Sequence, residues 1–218
     1  MAEQQVEKSH PVLYQFKRRD ITREETAKLY STWAKDYDKD IVDLSYFSPS
    51  NNAAELEKLL GEKRDALILD VCCGTGLVGQ ELSKRGFHNL HGLDASKDML
   101  EQARQKGLYK KLINATIGTN RVDIADDTYD AVIMSGAVGC GHVNGGGLAE
   151  MIRFVKPGGY VVMESIDKYT HGSEYGDKSW DEMIDSHIMA GRWVTVTRRR
   201  VELLSNRLSG VQYSFQVK

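Results

Sequence analysis

The chain has 218 residues, with 29 basic against 31 acidic side chains and a formal charge of −2. That length suffices for one domain with a full core, and the near-even charge argues against a nucleic-acid protein, which usually carries a strong basic excess. No apolar run reaches the roughly 20 residues that span a bilayer, residues 1–10 are too polar for a secretory signal, and three cysteines, two of them adjacent (Cys72, Cys73), suit a reducing cytoplasmic setting better than a disulfide framework.

Residues 1–20 are polar and are expected to be loosely held. Thr22, followed three residues later by Glu25, reads as a capping box that opens a helix. Along it Leu29, Trp33 and Tyr37 repeat at i, i+4 and i+8. Tyr46, Phe47, Ser48 and Pro49 break the pattern, and a second helix over about 51–60 runs to Gly61. A strand over 67–71 then turns through 72–76 into a helix over 77–85. Another strand, 89–93, precedes a helix over 97–106 that Gly107 stops. A strand over 112–117 follows, and the acidic turn 126–130 leads into a strand over 131–135. Glycines 139, 141 and 145–147 precede a helix over 148–155. Lys156-Pro157-Gly158-Gly159 is a sharp turn into a strand over 160–164. A helix over about 178–190 and two strands, 193–203 and 211–217, around a turn at 206–210 close the chain.

Continuous apolar strands alternating with helices imply a mostly parallel sheet covered on both faces. The closing hairpin makes at least one edge strand antiparallel. Ligands in such sheets bind at the carboxyl ends of the strands, at the switch point. Asp70, Asp94, Thr119, Ser135 and Ser165 all fall near those ends.

Gly74, Gly76 and Gly79 match the dinucleotide fingerprint, with Asp94 near the expected offset. Two details count against a dinucleotide. Asp70 would lie close to the pyrophosphate, and like charges in a partly buried site cost on the order of several kcal/mol. The loop 71–78 also has no Lys or Arg to neutralise phosphate. S-adenosylmethionine fits better, because it has no phosphate. Asp70 balances its ammonium, directly or through the turn, Asp94 accepts both ribose hydroxyls, and Met99 packs on the adenine face.

The run Leu69 to Gly76, the strand end Gly92-Leu93-Asp94-Ala95-Ser96, Met99 and Leu100 with Ala103, Tyr129-Asp130-Ala131-Val132 and Lys156-Pro157-Gly158-Gly159 stand in order over residues 67–164. In this order and spacing the chain resembles the class I S-adenosylmethionine-dependent methyltransferases. Tyr30, Trp33, Ala34, Tyr37 and Asp38, with Tyr46 and Pro49, are similar to the methyltransferase-like group named for the Williams–Beuren region, which extends the resemblance to 22–164. It implies an α/β fold: a Rossmann-like, seven-stranded, mostly parallel sheet with helices on both faces, an antiparallel C-terminal hairpin and an N-terminal helical lid. It further implies one methyltransferase domain over 1–218, divided into a lid (1–60), a cofactor-binding core (61–170) and a C-terminal helix and hairpin (171–218). The cofactor is S-adenosyl-L-methionine, leaving as S-adenosyl-L-homocysteine, with no metal. Its implied site comprises Trp33, Tyr37, Asp70, Cys72, Cys73, Gly74, Gly76, Asp94, Ala95, Met99, Gly118, Thr119, Ser135 and Gly136.

The chain departs from the family in two places. Cys72 stands where the family usually has Gly or Ala, which is tolerable if the local φ is negative. The acid after the third strand that contacts the adenine amino group is missing. Ile117-Gly118-Thr119-Asn120 stands there, so Thr119, Asn120 or a backbone carbonyl has to replace it.

The implied reaction is in-line displacement at the sulfonium methyl, for which a protein supplies proximity, alignment and a dry site. His142, after the fourth strand, is the candidate general base, set against the plainer reading of a surface loop histidine; His171 and Tyr169 stand behind it. Trp33 and Tyr37 either close over the cofactor or form a packing stripe. Cys140 lies between glycines and reads as structural. The basic runs are Lys17-Arg18-Arg19 and Arg198-Arg199-Arg200. In a strand, Arg198 and Arg200 share one face and Arg199 takes the other, a charged edge that discourages strand pairing. The expected partner is a small-molecule methyl acceptor, with no nucleic acid, no membrane and a monomeric state. An RNA or protein methyltransferase and a non-catalytic cofactor-binding protein remain the alternatives.

Overall fold

The computed structural model describes residue 18 and residues 20–167, 178–204 and 208–218. The expectations for residues 1–17, Arg19, Tyr169, His171 and positions 206–207 of the closing turn lie outside these described residues. The elements are α1 (Arg23–Trp33), α2 (Tyr37–Asp43), α3 (Ser48–Leu60), β1 (Ile68–Val71), α4 (Leu77–Lys84), β2 (Leu90–Asp94), α5 (Lys97–Gln105), β3 (Lys111–Asn114), β4 (Tyr129–Met134), α6 (Gly145–Phe154), β5 (Val155–Ile166), α7 (Trp180–Met189), β6 (Trp193–Leu204) and β7 (Leu208–Val217).

The seven strands form one sheet in the order β3-β2-β1-β4-β5-β7-β6. β1 to β5 run parallel, while β7 pairs antiparallel with β5 and β6 antiparallel with β7. The hairpin therefore inserts its second strand beside β5 and leaves β6 at the edge. Strand order reverses between β1 and β4, and the crevice beyond their carboxyl ends is the switch point.

Side chains alternate between two cores, as the two-residue strand period requires. Leu69, Val71, Val132 and Met134 face one core, with Leu148 and Phe154 of α6 and Trp180 of α7. Ile68, Ala131, Ile133 and Val162 face the other, with Leu56 of α3 and Val78 and Leu82 of α4. Each fully buried aliphatic side chain contributes roughly 1.5–3 kcal/mol. No helix among the described residues is long and apolar enough to cross a membrane.

The local signals place most elements, and the exceptions have physical causes. The capping box forms: the Glu25 N–H donates to Thr22 Oγ1 at 3.1 Å and the Thr22 N–H to the Glu25 carboxylate at 2.8 Å. The stripe Leu29, Trp33, Tyr37 does not ride on one helix. The chain turns over 34–36, the Trp33 indole N–H donates to Asp40 Oδ2 at 2.6 Å, and its ring meets Tyr37 edge-on at 4.7 Å. Pro49 starts α3 rather than breaking the chain, since a first-turn proline has no N–H to miss. Asn144 caps the Gly146 N–H at 3.1 Å and starts α6 three residues early. β3 ends at Asn114 instead of 117, because it is the edge strand and its only neighbour, β2, ends at Asp94 opposite Asn114. Residues 156–159 form a bulge inside β5, where Val155 pairs with Tyr129 and Tyr160 with Ala131.

Candidate cofactor and acceptor site

A cleft of about 740 Å³, counting the space open to solvent, lies at the carboxyl ends of β1, β2 and β4. Its floor includes Cys72, Gly74, Asp94, Ser135 and Gly136, and its roof is α1, through Arg23, Thr26, Ala27 and Tyr30. The structure brings Tyr37, Cys72, Gly74, Asp94, Ala95, Met99, Ser135, Gly136 and His142 together around this space. Trp33, Asp70, Cys73, Gly76, Gly118 and Thr119 do not line it. Trp33 is buried with Ile41 and Leu44 behind Tyr37. Gly118, at φ +80°, packs on α6, where a Cβ would meet the Gly147 nitrogen at 2.5 Å. Thr119 lines an adjoining groove.

Asp94 closes β2. Its Oδ2 accepts the Gly74 N–H at 2.9 Å and its Oδ1 the Ser96 N–H at 2.8 Å. Each oxygen keeps a further lone pair, so two vicinal hydroxyls fit on the outer edge. Burial pushes the Asp94 carboxyl up, opposed by the backbone N–H groups of Ser96, Gly74 and Ala95. Met99, in the first turn of α5, is buried and presents its side chain to the same cleft. Ser31 of α1 and Ser96 share a hydrogen bond at 2.8 Å, which ties the roof to the floor.

Asp70 ends up beneath the glycine loop, not in the cleft. The Tyr109 hydroxyl donates to Asp70 Oδ2 at 2.5 Å and accepts the Gly79 N–H at 3.2 Å. Asp70 Oδ1 is buried without a hydrogen-bond partner among the described residues. Burial pushes the Asp70 carboxyl up to about 8 against the bond from Tyr109, and Asp94 adds to the rise. A cation above the loop would favour the ionised form of this acid, acting through the turn. Tyr109 has no signal in the sequence, yet it accounts for Gly79, whose added Cβ would meet Tyr109 Oη at 2.5 Å.

The condition set for Cys72, a negative φ, is not met, for the residue sits at φ +56°. A side chain in the left-handed region costs roughly 1–2 kcal/mol. The loop holds it there from both sides: the Cys73 N–H donates to the Leu93 carbonyl at 3.0 Å and the Gly76 N–H to the Cys73 carbonyl at 2.8 Å. Burial, with Asp94 and Asp70 nearby, pushes the Cys72 thiol far up, which makes it a wall and not a nucleophile.

His142 faces the cleft and is no surface loop histidine. Its Nδ1 lies 2.8 Å from the Cys140 carbonyl, which can only accept, so Nδ1 carries the proton. Nε2 then accepts from the Tyr30 hydroxyl at 3.1 Å. Burial pulls its pKa down, against the Cys140 contact. The imidazole is thus neutral, with its basic nitrogen toward the roof.

Glu164 also went unread in the sequence. It is buried beneath the turn after β4, where it accepts the Gly136 N–H at 2.7 Å. Burial raises its carboxyl to about 7. Asn52 supports the same turn through the Met134 carbonyl at 3.1 Å and Ser135 Oγ at 2.8 Å. Each of the two turns that floor the cleft is therefore backed by a buried acid.

A pH dependence follows for the ligand-free protein. Asp70 holds its proton to about pH 8, whereas an unfolded aspartate releases it near 4. Between these values the folded state binds more protons, so stability falls as pH rises. His91, His142 and His187 are all pulled down by burial and act oppositely, but only below their ordinary value of about 6.5. Glu164, raised to about 7, adds a smaller loss in the same direction. Chemical denaturation at pH 7 and 8 should therefore show a loss of about 1 kcal/mol over that unit, and Asp70→Asn should remove most of it.

Comparison with known proteins agrees with this architecture. Residues 68–159 match the model of a family described as a methyltransferase domain. These residues thus form a methyltransferase domain, on the fold shared by S-adenosylmethionine-dependent methyltransferases of known structure. The chain is 40% identical over 166 residues to methyltransferase-like protein 27 of Homo sapiens, covering 75% of this chain and 66% of that protein. It is 34% identical over 102 residues to a ubiquinone/menaquinone biosynthesis C-methyltransferase of Geotalea daltonii, covering 44% of this chain and 43% of that one. The chain thus spans just under two thirds, and under half, of the lengths of these relatives. Among solved structures, the 1,6-didemethyltoxoflavin-N1-methyltransferase of Burkholderia thailandensis, with bound 1,6-didemethyltoxoflavin and S-adenosylhomocysteine, shares the fold. Its TM-score is 0.64 at 16% identity, over 91% of each chain.

Proposed function

We propose that the protein transfers the methyl group of S-adenosylmethionine to a small-molecule acceptor held in the same cleft. The observation that carries this reading is the way α1 spans the cleft. It is tied across by Ser31 to Ser96, by Arg23 to the Ile117 carbonyl at 3.2 Å, and by Tyr30 to His142. A roof pinned at three points suits an acceptor that can be enclosed and leaves poor room for a polymer.

The basic run supports the same reading. Arg198 pairs with Asp181 and, at 3.8 Å, with Asp185; Arg199 pairs with Glu55 at 3.0 Å; and Arg200 pairs with Asp167. Charges already matched by acids offer little to a polyanion. One of the similar proteins is named for ubiquinone/menaquinone biosynthesis, and another for the small acceptor 1,6-didemethyltoxoflavin.

Bound S-adenosylmethionine supplies a methyl group already activated by its sulfonium charge. In this proposal Asp94 holds the ribose hydroxyls and the glycine loop holds the amino-acid end, whose ammonium favours loss of the proton from Asp70 beneath the loop and is then balanced by that carboxylate. Tyr30 and Tyr37 keep water out. His142 Nε2, which accepts from the Tyr30 hydroxyl in this structure, exchanges that bond for the acceptor and takes its proton, while Ser31 and Arg23 still hold the roof.

The test offers labelled-methyl S-adenosylmethionine with a metabolite extract, total RNA and total protein in parallel. Label in the metabolite fraction is the expected result. Label confined to RNA or protein would replace the acceptor class. Tight S-adenosylhomocysteine binding with no transfer to any pool would make the protein a non-catalytic binder. His142→Ala should slow transfer about 100-fold or more while S-adenosylhomocysteine affinity stays within about threefold of wild type.

A further inference from the structure

Arg23 is the first residue of α1, and its guanidinium reaches across to the segment that follows β3. Nη1 donates to the Ile117 carbonyl at 3.2 Å and to Thr119 Oγ1 at 2.7 Å. Nη2 is buried and has no hydrogen-bond partner among the described residues. A buried charged donor without an acceptor is costly, and it is tolerated where a ligand supplies the missing partner. The side chain stands in the wall shared by the cleft and the adjoining groove.

Strand order tells which part of a ligand meets it. The glycine loop follows β1, Asp94 ends β2, and Thr119 lies beyond β3, so the three stand side by side in that order. A nucleoside with its hydroxyls on Asp94 and its amino-acid chain toward the glycine loop must carry its base on the β3 side. That is where Arg23 sits. The segment 115–120 has no carboxylate to accept from an exocyclic amine. What the site offers there is a donor, and a purine presents in-plane ring nitrogens as acceptors.

We propose that Arg23 reads the cofactor's base, with Nη2 donating to a ring nitrogen of adenine. Recognition at this edge then comes from a donor on the roof helix instead of an acceptor on the sheet. Closing α1 over the cleft and seating the base become one event, because the same guanidinium does both.

The test is calorimetric titration with S-adenosylhomocysteine and its 1-deaza, 3-deaza and 7-deaza analogues, each lacking one ring nitrogen. Wild type should bind one of the three about tenfold more weakly than the parent. Arg23→Met should bind the parent about tenfold more weakly than wild type does and lose the discrimination against that analogue. Equal binding of all four ligands by wild type would overturn the proposal whether or not the variant folds. So would discrimination that persists undiminished in Arg23→Met, or in Arg23→Gln if the Met variant shows no cooperative melt. A role confined to holding α1 down would weaken all four ligands alike. Failure of wild type to bind the parent compound at all would instead overturn the cofactor assignment itself.

Discussion

Asp94→Ala is expected to weaken S-adenosylhomocysteine binding by about 100-fold or more. The carboxylate offers one free lone pair on each oxygen, and a hydrogen bond to a charged acceptor contributes about 1.5–3 kcal/mol. Losing two of the weaker kind is about 3 kcal/mol, or two factors of ten in the dissociation constant. The variant also orphans the Gly74 and Ser96 N–H groups that now end on Asp94, so the glycine loop loses its anchor to β2. Asp94→Asn, which keeps one acceptor oxygen, should fall between wild type and Ala. Calorimetry is the measurement, and an Ala variant within about threefold of wild type would remove Asp94 from the site.

Gly79→Ala should destabilise the protein by about 2–3 kcal/mol, although the same change in an ordinary helix adds stability. Gly79 is the third residue of α4, and replacing a helical glycine by alanine normally contributes about 1 kcal/mol. Here the new methyl carbon would lie 2.5 Å from Tyr109 Oη and 2.6 Å from Cζ. The ring cannot swing aside freely, because its hydroxyl is bonded to Asp70 and to the Gly79 N–H. Overpacking of a held core group costs roughly 1–3 kcal/mol and adds to the loss of Tyr109's bonds. A chain of this size should lose roughly 5–10 °C in Tm. Tyr109→Leu should absorb most of the penalty, so the double variant is the decisive arm. A rise in Tm for Gly79→Ala would mean that Tyr109 does not occupy that space.

What the chain order made legible is local. The capping box of Thr22 and Glu25, the stop at Gly107, the alternation of apolar strands with helices and the acids at strand ends each depend on residues a few positions apart. Short-range hydrogen bonding and burial periodicity decide them. From these came the sheet and the cleft at its carboxyl ends, while the family came from the resemblance carried by the ordered motifs over residues 67–164.

Other features required contacts between residues distant in the chain. The positive φ of Cys72 is imposed by the loop's bond to Leu93. Tyr109 reaches Asp70 only because β1 and β2 lie side by side, and Arg23 reaches Thr119 only because α1 folds over the cleft. Pairing spends the charges of Arg198, Arg199 and Arg200 on acids of other elements, which a run of three basic letters does not disclose. Periodicity and turn chemistry determined where the cleft lies, at the carboxyl ends of the strands, because backbone geometry repeats. Only the tertiary structure decided which side chains face the cleft, because that depends on the far neighbours that fill or leave each space.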